Sequence, residues 1–172
     1  MNLLGPVVTL LLLLTGGGGP APDTGAAAVA LPPVRYRAPV QPIHVVRPFD
    51  PPATPYGPGH LGVDLAARPG AVVRAAGAGV VGFAGSVAGR GLVVIRHPDG
   101  ISTEYEPLRP AVSAGTAVTR GQPIGRITGR HGTCAPGRCL HWGAKRGGTY
   151  LDPMSLLRPL GPVRLLPWPG EP

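Results

Sequence analysis

From residue 71 onward, apolar positions come in short runs, and no stretch carries them at helical spacing over three turns. The runs are 71–76, 79–84, 91–96, 102–108, 123–128 and 140–144, each bounded by glycine, proline or polar turn formers, which is the pattern of strands. Gly77-Ala78-Gly79 and His97-Pro98-Asp99-Gly100 each lie between two runs and accept turn geometry, so both are expected to be hairpin connections. A single helical turn is expected at 152–157. The fold class expected is all-β: a small, mostly antiparallel β-sheet or sandwich domain.

Ahead of these runs the pattern changes. Residues 7–14 (VVTLLLLL) are apolar or threonine, and glycines and the small-x-small triplet Ala28-Val29-Ala30 follow, so residues 1–30 read as a signal peptide. Gly5, Pro6 and the glycines at 16–19 keep the apolar run well short of the roughly 20 residues a spanning helix needs. The expectation is a secreted protein, extracellular or in the cell wall, and not membrane-spanning. Residues 31–53 are rich in proline, which favours extended conformation, and read as a linker or a wrapping arm in which His44 is solvated. Residues 54–157 form the β domain, and 158–172 are a proline-broken tail.

Composition narrows the picture. The 28 glycines and 24 prolines among 172 residues oppose long helices, and what remains after the leader and arm suffices for one small domain. A net charge of +8 raises nucleic acid as a partner, yet the arginines stand singly, without runs or interleaved aromatics, which argues against it. Attraction to an anionic cell wall is the remaining consequence for an exported protein, expected to be a monomer.

Two segments carry chemistry. His60-Leu61-Gly62-Val63-Asp64 follows a loop and leads into an apolar stretch, and Cys139-Leu140-His141-Trp142-Gly143 places another histidine on a short strand far downstream. Zinc sites are often assembled from ligands this distant in sequence. Cys134 and Cys139, the only cysteines, enclose Pro136-Gly137, and in an exported protein they are expected to form a disulfide; a Cys139 thiolate as metal ligand or nucleophile is the competing reading.

These two segments, the 70–80 run, Ser102-Thr103-Glu104-Tyr105, the 115–125 run and Leu151-Asp152-Pro153 stand in an order and spacing that resembles the lysostaphin-type (LytM) zinc metallopeptidases. The resemblance covers about three fifths of the chain. It implies a metal-binding groove, a zinc cofactor held by His60, Asp64 and His141, and as substrate the stem or cross-bridge peptides of peptidoglycan. It also exposes two departures. The first histidine of the family's H-x-H motif falls on Cys139, and the histidine of its Tyr-x-His-Leu motif falls on Pro107. General acid–base help contributes typically about 10²- to 10⁴-fold in rate, so the resemblance implies weak or lost hydrolysis.

Among substitutes, Glu106 adjoins the vacated position but is expected to point away from it. Tyr105 is expected to share the groove face, as an oxyanion donor or as a packed aromatic. His131 reads as a solvated loop residue and His97 as the opening of a turn. Three functions then compete: a cell-wall zinc endopeptidase, a non-catalytic peptidoglycan-binding or hydrolase-activating module with a partner cell-wall hydrolase, and a lipoyl-type carrier suggested by the 115–125 run. The carrier is discounted because Lys145, the only lysine, lacks the usual attachment context.

Overall fold

The computed structural model describes residues 34–54, 57–129 and 138–157, all within one compact unit that begins at Leu31. The expected signal peptide, His131, Cys134 and the proline-rich tail lie outside the described residues. In chain order the strands are β1 (Val45–Arg47), β2 (Gly62–Ala67), β3 (Val72–Arg74), β4 (Gly79–Val87), β5 (Arg90–Arg96), β6 (Ile101–Glu106), β7 (Leu108–Pro110), β8 (Ala117–Val118), β9 (Pro123–Ile127), β10 (Arg138–Arg146) and β11 (Thr149–Leu151). A 3₁₀ turn at Pro153–Leu157 meets the single helical turn expected there. The all-β, antiparallel expectation holds.

The strands divide between two antiparallel sheets. The larger has the order β1-β2-β10-β6-β5-β4-β8, with β11 on β10, and the smaller has the order β3-β9-β7. Both contribute to one core, in which Val63 and Leu65 of β2, Tyr105 of β6 and Leu140 and Trp142 of β10 meet Val73, Leu108, Ile124 and Ile127 of the small sheet. Period-two alternation decides what remains for chemistry. On β10, Leu140, Trp142 and Ala144 are buried in the core, so Cys139, His141 and Gly143 take the opposite face.

Of the two expected hairpin connections, the structure bears out one and corrects the other. His97 to Gly100 does join β5 and β6 as a hairpin, with the His97 amide bonded to the Ile101 carbonyl. The Gly77-Ala78-Gly79 link is not a hairpin: β3 pairs with β9 in the small sheet, while β4 pairs with β5 and β8 in the large one. Turn-forming residues permit a reversal without specifying which strands pair. The 102–108 run is likewise split, because Pro107 offers no amide hydrogen to continue a ladder. The chain leaves the large sheet after Glu106 and enters the small one at Leu108.

The proline-rich residues 34–53 lie along the domain. Arg37 donates its amide to the Ala76 carbonyl, Pro39 and His44 accept from the amides of Arg74 and Ala66, and Ala38 and Val40 are buried. Strand β1 then pairs with β2, which carries the first ligand segment.

Candidate metal centre

Strands β2 and β10 are neighbours, and their register sets Asp64 directly opposite His141. Residues opposite one another on an antiparallel pair project to the same face. His60 stands just before β2 and is held by a backbone bridge to Asp50, each residue exchanging amide and carbonyl with the other. The three side chains therefore converge although 81 residues separate His60 from His141.

Their donor atoms form a tight triangle. His60 Nε2 lies 3.1 Å from Asp64 Oδ1 and 3.0 Å from His141 Nδ1, and His141 Nδ1 lies 3.0 Å from Asp64 Oδ1. The Nδ1 of His60 donates to the Pro48 carbonyl at 2.7 Å, which leaves Nε2 to face the triangle with its lone pair. A proton on His141 Nδ1 can satisfy one side of the triangle by donating to Asp64, whereas a cation at its centre would satisfy all three atoms. Ligands about 2.0–2.2 Å from a tetrahedral centre stand roughly 3.3 Å apart, so these spacings fit zinc-sized coordination. The donor set, two imidazoles and a carboxylate, also matches a three-ligand catalytic zinc site rather than a thiolate-rich structural one. Asp64 and His60 are buried, and the described residues thus contain one group able to hold a metal ion, His60 with Asp64 and His141.

Gly62 makes room for this arrangement. A Cβ built there would stand 2.7 Å from His141 Cε1 and Nε2 and 2.6 Å from the Trp142 carbonyl. Any side chain at 62 would therefore push the His141 ring or spread the two ligand strands.

The secondary candidates exchange places relative to expectation. Glu106 lies directly opposite His141 across β6 and β10, so it projects to the ligand face, and its carboxylate is 3.3 Å from Arg90 Nε. Tyr105 points the other way. It is 0% exposed, and its hydroxyl accepts the Ala76 amide and lies 2.7 Å from Thr103 Oγ1, so it is a packed, hydrogen-bonded aromatic and not a groove-side donor. Burial pushes that hydroxyl up to about 12. The alternation that puts Tyr105 on the face of residue 107 does not apply, because the strand ends at Glu106. Pro107 is buried beside Gly129. Cys139 is 2% exposed on the His141 side of β10 and carries no free thiol; its expected partner Cys134 lies outside the described residues. His97 opens its turn as expected and is buried. Lys145, 2.8 Å from Glu104, sits on β10 rather than at a hairpin tip.

A family comparison closes the question of kinship, since residues 58–153, which contain His60, Asp64 and His141, match the model of peptidase family M23. The chain belongs to peptidase family M23. An uncharacterized protein of Mycobacterium tuberculosis, Rv2891, is 45% identical over 131 residues, which are 74% of this chain and 52% of that protein. The DD-carboxypeptidase/endopeptidase Mpg of Neisseria meningitidis serogroup B is 38% identical over 103 residues, 58% of this chain and 23% of that one. The chain thus spans about half the length, or less, of the curated relatives it matches. Among solved structures, the catalytic domain of lysostaphin from Staphylococcus simulans aligns with a TM-score of 0.57 at 25% identity, covering 67% of this chain and 92% of that domain. Helicobacter pylori Csd3 aligns at 0.58 and 28% identity, over 72% of this chain and 34% of that protein. The SpoIIQ–SpoIIIAH pore-forming complex contains a chain of the same fold, with a TM-score of 0.61 at 24% identity, covering 72% of this chain and 91% of that one.

Proposed function

We propose that this M23 domain holds one zinc ion at His60, Asp64 and His141, engages peptidoglycan peptides there, and hydrolyses them slowly or not at all. The observation that carries the reading is the triangle of donor atoms, 3.0–3.1 Å on each side, with one imidazole already oriented by the Pro48 carbonyl. Zinc in such a site supplies Lewis acidity and a coordinated water with a pKa of about 7. The protein's own groups do less than a full peptidase requires. Asp64 offsets part of the cation's charge, and the two imidazoles orient it. Pro107 has no group to exchange a proton, and Cys139 replaces the other assisting histidine. Similarity to the Neisseria carboxypeptidase/endopeptidase and to lysostaphin supports peptidoglycan as the target.

Metal analysis of the purified mature protein tests the site: one zinc per chain is expected, and a stoichiometric zinc content in His141→Ala would refute the ligand assignment. Peptidoglycan turnover tests the chemistry. The wild type is expected to be slow, and Pro107→His with Cys139→His and Cys134→Ser is expected to gain roughly 10²-fold or more. A second reading rests on the register that puts Glu106 on the ligand face. There Glu106 serves as the base; a brisk wild-type rate abolished by Glu106→Gln with zinc retained would establish it.

The same proposal includes export after cleavage of residues 1–30, a monomer in solution, and a Cys134–Cys139 disulfide that braces the strand presenting His141. Closing so short a loop stabilises by about 2 kcal/mol. Unreduced peptide mapping is expected to show the cross-link, and two alkylatable thiols in exported protein would refute it.

A further inference from the structure

The three strands of the small sheet lie in two stretches of sequence, 65–98 and 107–129, that contain no aspartate or glutamate. Their outward face nevertheless carries Arg74 on β3, Arg109 on β7 and Arg126 on β9, which line a cleft of about 280 Å³ together with Val72, Pro110 and Pro123. Arg109 and Arg126 are directly opposite one another in the register. Like charges in that position repel and destabilise the pair. Two of the guanidinium groups are already anchored: Arg74 donates to the Gly121 carbonyl at 3.1 Å and Arg126 to the Gly70 carbonyl at 3.0 Å. Each guanidinium has five donors, so both keep N–H groups for a ligand while their flexibility is reduced. The carboxylates of Asp64, Glu104 and Glu106 stand on strands of the large sheet.

We propose that this cleft is an anion-binding surface, separate from the metal centre, whose occupant is a phosphodiester polymer without bases, such as a polyol phosphate. Guanidinium forks match phosphate oxygens in pairs, and three of them around an open cleft suit a chain of successive phosphates. The alternatives lack their usual partners. Among the described residues none of the exposed large hydrophobic side chains, such as Val46, Leu61, Val80, Phe83 and Val87, stands on the small sheet, so this face offers a bilayer no large apolar anchor. No aromatic residue lines the cleft, so bases of a single-stranded nucleic acid have nothing to stack on. The site goes beyond the peptidase reading and does not depend on it.

Binding of poly(glycerol phosphate) to the whole mature protein, measured by titration calorimetry at near-physiological salt, tests the proposal. Arg109→Gln with Arg126→Gln is expected to weaken binding by roughly tenfold or more, with a shallower salt dependence, unchanged zinc content and a melting temperature no lower than the wild type's, since the change also relieves their mutual repulsion. Arg109→Lys with Arg126→Lys, which keeps charge but loses the fork, is expected to fall between. Removing the same kind of charge from the large sheet, as Arg96→Gln, is expected to change affinity by less than about twofold. No measurable binding by the wild type would overturn the proposal. So would equal binding of polyglutamate, an Arg96→Gln loss as large as the double variant's, or tighter binding to single-stranded DNA or phosphatidylglycerol vesicles.

Discussion

At the scale of single residues, the candidate metal centre depends on a small residue as much as on the three side chains that would hold the ion. Gly62 faces the His141 ring across the β2–β10 pair, at a distance that admits hydrogen but not carbon. Gly62→Ala is expected to reduce zinc affinity by roughly 10- to 100-fold through displacement of the ring, an effect comparable to loss of an outer-shell partner. Competition with a chelating dye measures this. A variant that binds zinc like the wild type would show that the ring relaxes without leaving the ligand triangle. The residue scale also explains why Tyr105 and Glu106 change roles. They are neighbours on one strand, so whichever faces the core excludes the other from it, and Tyr105 has by far the larger apolar surface to bury.

Among the elements, the β5–β6 hairpin is joined to the core by a directed chain of hydrogen bonds. The Ala76 amide donates to the Tyr105 hydroxyl, which leaves that hydroxyl to donate to Thr103 Oγ1 and Thr103 to donate to His97 Nε2. His97 Nδ1 then donates to the Ala78 carbonyl. Every donor is used only if His97 is neutral, and burial accordingly holds it below its ordinary value of 6.5. Because the unfolded state takes up this proton more readily than the folded one, stability is expected to decline as pH falls below about 6.5 and to level off below the folded pKa. Nitrogen NMR of the imidazole is expected to show a proton on Nδ1 alone at pH 7 and a titration midpoint below 6.5. A midpoint at or above 6.5 would contradict the chain of donors. The hairpin also receives the arm, since Tyr36 stacks edge-on against the His97 ring and donates to the Asp99 carboxylate at 3.0 Å.

For the whole molecule, residues 34–53 act as part of the domain. They bury Ala38 and Val40, pair β1 against β2, and supply the Pro48 carbonyl that orients His60. A chain starting at residue 54 is expected to lose several kcal/mol of stability, because two apolar side chains and their backbone partners leave the core edge together. It is also expected to bind zinc more weakly than the intact domain. Thermal melts and zinc titration of the two proteins make the comparison; equal melting temperatures would mean that the arm contributes no net stability. Among the described residues no helix is long and apolar enough to cross a membrane.

The sequence by itself determined what local pattern can encode. Short apolar runs between turn formers specified strands, and His60, Asp64 and His141 were legible because ordered motifs surround them. Strands β1, β8 and β11, of two or three residues each, were missed because so short a segment has no alternation to read. Ligand strand β2 was seen only as an apolar stretch after Asp64, since three of its six residues are Gly or Ala. What only the tertiary structure decided was pairing and facing. Which sheet receives β3, where Pro107 hands the chain from one sheet to the other, and which side of β6 meets the ligands all depend on contacts between residues far apart in the chain. The same holds for the carbonyl of Pro48 on His60 and for the arginines gathered on the small sheet. Periodicity reports that a residue alternates; the partner strand alone settles which face it alternates toward.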